Sequence, residues 1–206
     1  VILYDRFTED REAIGQQVAR DRGLTLIRPY DQLGTIAGQG TIGLEISEQC
    51  SEMGIAADMM LVPCGGGGLL SGIALACEAK LPDCALYGVE PADFDDTRRS
   101  LETGQLQRID PDARSICDAL LSPAPGDITF GINQRLVSGI LTVDDEQVRQ
   151  AMKIAFSDLK LVLEPGGAVG LAALLSRNID IQNKYIVVVL SGGNVDLETF
   201  KSALSC

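Results

Sequence analysis

Short apolar runs alternate with segments of helical periodicity along most of the chain, the pattern of a parallel sheet covered by helices on both faces. Strands are predicted at residues 1–4, 24–27, 59–63, 85–89, 140–143 and 185–190. Helices are predicted at residues 8–22, 69–80, 144–159 and 169–176. The first helix carries apolar Ala13, Ile14, Val18 and Ala19, opens on Thr8-Glu9-Asp10 and stops at Gly23. A capping side chain, acidic residues at the positive helix end and a glycine stop therefore agree. Residues 36–46 are helical at their later end, yet Gly38, Gly40 and Gly43 are too many for an ordinary surface helix and predict close backbone approach. From 95 to 133 the periodicity fails and Pro, Gly, Asp and Ser accumulate, so this stretch reads as long, irregular and partly helical.

The fold class expected is α/β, a parallel twisted sheet with helices on both faces. Residues 1–35 read as the remnant of a small αβ domain and 36–206 as a larger domain, with the boundary near 33–39. Val1 opens directly inside a strand pattern with no initiator Met, so the chain reads as the later part of something longer. No run approaches the roughly 18 to 20 apolar residues of a membrane-spanning helix.

Charge and composition narrow the chemistry. Seventeen Lys and Arg stand against 29 Asp and Glu, a formal charge of −12, so the field repels nucleic acid and anionic lipid. His is absent, which removes the usual general base, the Ser-His and Cys-His nucleophile pairs and the commonest zinc ligand. The catalytic chemistry must then be borrowed from a cofactor. Cys50, Cys64, Cys77, Cys84, Cys117 and Cys206 are irregularly spaced, form no C-x-x-C pair and sit among apolar neighbours, so they read as reduced, core-filling thiols of a cytoplasmic protein.

The strongest local signal is Cys64-Gly65-Gly66-Gly67-Gly68-Leu69, which follows an apolar strand and opens a helix. Consecutive glycines let successive N–H groups converge on one anion with the positive end of a helix behind them. The run lacks the Lys-Ser/Thr ending of a nucleoside-triphosphate loop, and it is not the G-x-G-x-x-G of dinucleotide folds. A phosphate cradle is the inference; a tight turn joining strand to helix is the plainer alternative.

Five ordered blocks then carry a family resemblance: Ala37-Gly-Gln-Gly-Thr, the glycine run with Leu69, Gly88-Val-Glu-Pro, Leu163-Glu-Pro-Gly-Gly-Ala and Val189-Leu-Ser-Gly-Gly-Asn. Together they resemble the serine/threonine dehydratase and serine racemase branch of the fold-type-II pyridoxal-phosphate enzymes. The resemblance implies a pyridoxal 5'-phosphate site on the large domain and elimination of water and ammonia from β-hydroxy amino acids. It implies that Gly65, Gly66, Gly67, Gly68 and Leu69 hold the cofactor phosphate, that Ser191 meets the pyridine nitrogen, and that Glu164 lies beside the ring. Outside the resemblance, Ser191 also reads as a turn cap and Glu164 as an ordinary loop carboxylate. The racemase-like branch further implies a divalent cation, Mg²⁺ or Ca²⁺, on Glu90, the backbone carbonyl of Phe94 and Asp96, an oxygen set suited to hard cations. The same acidic turn, read alone, is a solvated turn.

The resemblance also defines what this sequence does not show. In the family the cofactor-bearing lysine lies far upstream of the glycine run, and Lys80, Lys153, Lys160, Lys184 and Lys201 lack its context. Ala119 stands where relatives have a cofactor-contacting glycine, and Ser122 is a further residue that could face substrate. Three functions follow. The first is a lyase acting on serine, threonine or hydroxyaspartate with the upstream part of the same enzyme; the second is an amino acid racemase; the third is a non-catalytic phosphate-binding or regulatory module. A homodimer is implied by the relatives.

Overall fold

The computed structural model describes residues 1–5, 8–177 and 179–205. Its centre is a four-stranded sheet of β1 (Met59–Pro63), β2 (Ala85–Pro91), β3 (Gly139–Val143) and β4 (Ile186–Val188), in the order β3-β2-β1-β4. All three pairings are parallel: Leu61 lies opposite Tyr87 on one side and Val188 on the other, and Val89 lies opposite Leu141. All five residues of β1 are buried, as a central parallel strand covered on both faces requires.

Successive β1 side chains serve opposite layers. Met60 and Val62 pack with Leu70, Ile73, Ala74 and Leu86, a core closed by α2 (Leu33–Met53), α3 (Gly68–Lys80) and α5 (Asp127–Leu136). Met59 and Leu61 pack on the other face with Val89, Val148, Met152, Ala168, Val169 and Ala172. That face is closed by α6 (Asp145–Ile154), α7 (Pro165–Ser176) and α8 (Leu197–Leu204). The expectation of helices on both faces of a parallel sheet is met. So is the close approach inferred from the glycines of 36–46: a Cβ on Gly72 of α3 would lie 2.4 Å from the Ile36 carbonyl oxygen, and one on Gly43 would lie 2.7 Å from Ala76 Cβ.

Several boundaries move for identifiable reasons. α1 (Arg11–Arg22) starts at Asp10, whose carboxylate accepts from the N–H groups of Glu12 and Ala13, and it stops at Gly23 with φ 63°. Residues 1–4 and 24–27 form no strand; they are apolar and largely exposed, and a β-run without a ladder partner leaves its backbone groups better placed in water. α2 runs unbroken through residues 35 and 36, so the turn precedes Leu33. The helix expected over 144–159 is α-helical to Ile154 and then widens into a π-turn, Ala155–Leu159. α7 begins at Pro165 instead of 169, because proline at the first helical position needs no N–H partner. The irregular stretch contains α4 (Asp96–Thr103), a 3₁₀ turn at Asp118–Leu120 and α5.

α8 lies outside the helices predicted from the pattern, although Asp196 caps it through the N–H groups of Glu198 and Thr199. β4 is shorter than expected, but Val189 still donates its N–H to the Leu61 carbonyl beyond the strand's end. Cys50, Cys64, Cys77, Cys84 and Cys117 are free thiols, all buried except half-buried Cys84; Cys206 lies outside the described residues. Among the described residues no helix is long and apolar enough to cross a membrane.

Candidate functional site: a glycine cradle and a buried acidic pair

β1 delivers the chain to Cys64, and the four glycines then turn it into α3, whose first residue is Gly68. Side chains are excluded from this loop by its neighbours. A Cβ on Gly66 would lie 2.5 Å from the Tyr30 ring, one on Gly68 would lie 2.8 Å from Tyr30 Cα, and one on Gly65 would lie 3.1 Å from Leu120 Cα. Gly67 stands at φ 92°, a conformation that itself favours glycine. The amides at this helix start have no intrahelical partners and lie where the helix dipole is positive.

Gly65, Gly66, Gly67, Gly68 and Leu69 line one wall of a cavity of about 780 Å³, a volume suited to a cofactor with a small substrate. Ser191 lies on the same cavity, three residues past the end of β4 and exposed, so the structure brings the glycine run and this hydroxyl together. Ala119 and Ser122 are also on the wall. Glu164 is not among the lining residues. Its carboxylate accepts from the Asn194 N–H at 2.9 Å, its own N–H donates to the Gly192 carbonyl at 3.1 Å, and it thus supports the turn that carries Ser191. Bare amides at one end, a hydroxyl at the other and space between fit a flat heterocycle bearing a phosphate ester.

Residues 1–35 contribute a further part of the lining, including Arg11 and, against the glycine loop, Tyr30, while Arg108 joins it from the irregular stretch. Burial, ahead of the Glu12 carboxylate, raises the Tyr30 pKa and keeps its phenol protonated, with Ser122 beside it on the cavity wall. The lining also carries Glu9, Asp10, Glu12 and Asp118, so the two guanidinium groups stand among four carboxylates. None of Tyr30, Arg11 and Arg108 stands out in the sequence: Tyr30 follows Pro29 in an ordinary loop, and both arginines occupy ordinary surface positions. Only tertiary structure gathers them. No lysine lines the cavity among the described residues.

Behind the loop lie two buried carboxylates. Glu90, at the end of β2, is fully buried; its two oxygens accept from the N–H groups of Thr97 and Arg98, each at 3.0 Å. Asp96, 1% exposed at the start of α4, has one carboxylate oxygen, Oδ2, without a partner. Burial first, and then the charge of Asp96, pushes Glu90 up to about 8; burial pushes Asp96 up to about 7. Phe94, also buried, belongs to the single 3₁₀ turn between them. Among the described residues no group of three His, Cys, Asp or Glu side chains converges as a metal centre, so a cation here would rest on this pair and backbone oxygen. The unpartnered Oδ2 beside a second buried carboxylate suits one. Cys64 separates pair from cradle: burial above all, then Glu90, raises its thiol well above the ordinary value, and its sulfur lies 3.6 Å from Thr97 Oγ1.

Comparison with known proteins agrees with this geometry. The family model described as pyridoxal-phosphate dependent enzyme matches residues 1–192. The chain is 42% identical over 204 residues to the L-threo-3-hydroxyaspartate ammonia-lyase of a Pseudomonas species, covering 99% of this chain and 62% of that protein. It is 39% identical over 205 residues to the serine racemase of Schizosaccharomyces pombe, covering 100% of this chain and 62% of that protein. The solved structure of maize serine racemase superposes with a TM-score of 0.87 at 37% identity, over 99% of this chain and 62% of that one. The chain therefore spans a little over three fifths of these relatives' length. Its parallel sheet, its glycine loop and its sequence place it together with them: the chain belongs to the family of pyridoxal-phosphate dependent enzymes, in the branch of serine and threonine dehydratases and serine racemases.

Proposed function

We propose that this chain is the phosphate-anchoring part of a pyridoxal-phosphate-dependent ammonia-lyase that converts β-hydroxy amino acids to keto acid and ammonia. The observation that carries the proposal is the single cavity shared by the bare amides of residues 65–69 and the hydroxyl of Ser191. Bound pyridoxal phosphate supplies an electron sink for the substrate's α-carbon. The backbone of Gly65, Gly66, Gly67, Gly68 and Leu69 holds the phosphate dianion. Ser191 meets the ring nitrogen, where a neutral hydroxyl leaves it less fully protonated than a carboxylate would, which suits elimination over transamination. Glu164 acts one step removed, by fixing the turn that presents Ser191. Ser122 and the protonated Tyr30 phenol border the substrate space.

The ammonia-lyase relatives named for threo-3-hydroxyaspartate point to a substrate with a second carboxylate, and Arg11 and Arg108 are the cavity's cationic side chains able to meet it, set among the carboxylates of Glu9, Asp10, Glu12 and Asp118. Glu90, the Phe94 carbonyl and Asp96 take a hard divalent cation, Mg²⁺ or Ca²⁺, with water completing the shell. The proton transfers at the α-carbon fall to an upstream lysine, and the cavity is complete only with that part of the same enzyme. Residues 1–35 form a small unit and the rest the large one. Five free thiols accord with a cytoplasmic site, and the exposed apolar residues Phe156, Leu159, Leu161 and Val162 accord with a homodimer.

The serine racemase relatives and the acidic pair favour a second reading, racemisation with elimination as a side reaction. The test expresses the chain joined to its upstream residues, adds pyridoxal phosphate and follows ammonia and product chirality from threo-3-hydroxyaspartate, threonine and serine. Ammonia as the main product, fastest with hydroxyaspartate, is the expected result. Inverted amino acid as the main product moves the assignment to the racemase. Tight cofactor binding with neither product leaves the regulatory module, and no cofactor binding removes the site.

A further inference from the structure

A cradle of backbone amides works only if its peptides face the right way, and glycine peptides turn over easily. Gly67, at φ 92° and ψ −1°, has the geometry of the third position of a type II turn. Turning the Gly66–Gly67 peptide over gives a type I arrangement, and with no Cβ on either side little opposes it. The consequence for an anion is large, because the flipped peptide would offer it a carbonyl oxygen in place of an N–H.

The structure holds a device that fixes this peptide. Thr129 Oγ1 donates to the Gly66 carbonyl at 2.7 Å, and the Gly126 N–H donates to the same oxygen at 3.4 Å. The peptide is trans, so its N–H points opposite to its carbonyl. The carbonyl is held towards α5, and the Gly67 N–H is directed away from it, towards the cavity that Gly67 lines. Thr129 is itself fully buried and secured from three sides. Its N–H and that of Ile128 donate to Asp31 Oδ1 at 3.2 and 2.9 Å, so Asp31 caps α5 from almost a hundred residues upstream, where Gly126 has no side chain to do so. Its Oγ1 accepts from the Gly126 N–H at 3.0 Å. One turn on, Asn133 accepts from Ser71 Oγ at 2.9 Å and ties α5 to α3, the helix that the glycine loop opens.

We propose that Thr129 is a positioning residue of the phosphate cradle, its hydroxyl holding the Gly66 carbonyl away from the cavity and so aiming the Gly67 N–H at the anion. The proposal rests on the phosphate-binding role given above to residues 65–69. Asp31 extends the device to the segment that precedes α2, so the cradle's orientation depends on both parts of the cavity lining.

The test titrates the chain, joined to its upstream residues, calorimetrically with pyridoxal phosphate and with pyridoxal, which lacks the ester. Thr129→Val keeps the shape and removes the donor; we expect pyridoxal phosphate affinity to fall about ten- to a hundredfold, the effect of losing one hydrogen bond to a charged group, with pyridoxal unaffected. Thr129→Ser should restore the phosphate preference. A role confined to packing would lower the thermal midpoint and weaken both compounds alike, and that result overturns the proposal, as does unchanged pyridoxal phosphate binding by Thr129→Val. Should Thr129→Val fail to fold, Asp31→Ala, which leaves the hydroxyl in place but frees the start of α5, decides by the same preference. A wild-type chain with no preference for the ester would instead remove the cradle, a failure of the underlying reading that is seen before any variant is made.

Discussion

Glu90 and Asp96 are carboxylates in a place where burial penalises charge, and only one of them is provided for. Glu90 accepts two backbone N–H groups at the start of α4, whereas Asp96 Oδ2 has no partner. Both groups titrate above their ordinary values of 4.5 and 3.8, at about 8 and about 7, burial being the first cause for each. The folded chain then keeps protons that the unfolded chain releases. Without a cation, the contribution of this pair to stability is greatest below about pH 4 and declines as pH rises through about 7 and 8. A divalent cation between the carboxylates would reverse the penalty. In chelator, the thermal midpoint should fall between about pH 5 and about pH 8.5, and millimolar Mg²⁺ or Ca²⁺ should recover it at the upper end. Asp96→Asn should flatten the decline and abolish the recovery. A midpoint that ignores both pH and cation would count against the paired-carboxylate reading.

At the scale of elements, α2 and α3 show why the glycine spacing of residues 36–46 was legible while other features were not. The two helices meet backbone to backbone: a Cβ on Gly40 would come within 2.9 Å of the Gly72 carbonyl oxygen, and one on Gly72 within 2.4 Å of that of Ile36. Neither oxygen belongs to a flexible side chain that could yield. Gly72→Ala should therefore cost about 3 kcal/mol or more in urea unfolding, at the upper end for overpacking. Gly38→Ala, on the facing helix with nothing within 4 Å, should gain about 1 kcal/mol. Equal effects from the two would refute this contact. The central strands β1 and β2 were legible because buried parallel strands read as nearly continuous apolar runs, and β3, a half-buried edge strand, was legible from its short β-branched and aliphatic run. Residues 1–4 and 24–27 carry the same local pattern without becoming strands, since strand formation depends on a neighbour and not on the run itself. The first turn of α7 was hidden by Pro165-Gly166-Gly167, which reads as a loop although all three are buried in the helix. In the site, the glycine run and Ser191 announce themselves at the ends of apolar runs. Thr129, Tyr30, Arg11 and Arg108 carry no local mark, because their roles arise from segments far apart in the chain.

Across the whole molecule, stability is unevenly distributed, and the cavity lies where it changes. β1 and the first nine residues of α7 are buried, whereas α1 buries no residue and its flanks expose Leu3 at 90% and Ile27 at 76%. Residues 1–35 therefore have little apolar burial to hold them against the sheet, while Asp31 and Tyr30 fasten their end to α5 and the glycine loop. Regions with so little burial open far below the cost of global unfolding. Hydrogen exchange should show α1 amides exchanging faster than those of β1 and α7 by on the order of a hundredfold or more, the factor given by about 3 kcal/mol of opening free energy. A ligand that touches both parts of the lining binds only when they are together, so it must also stabilise the looser one. Saturating pyridoxal phosphate should slow exchange at residues 65–69 and, by the same linkage, in α1. Protection of α1 equal to that of β1 before any ligand is added would mean that residues 1–35 are an integral part of the large unit; protection gained at the loop but not in α1 would mean that the cofactor's site is closed by the large unit alone.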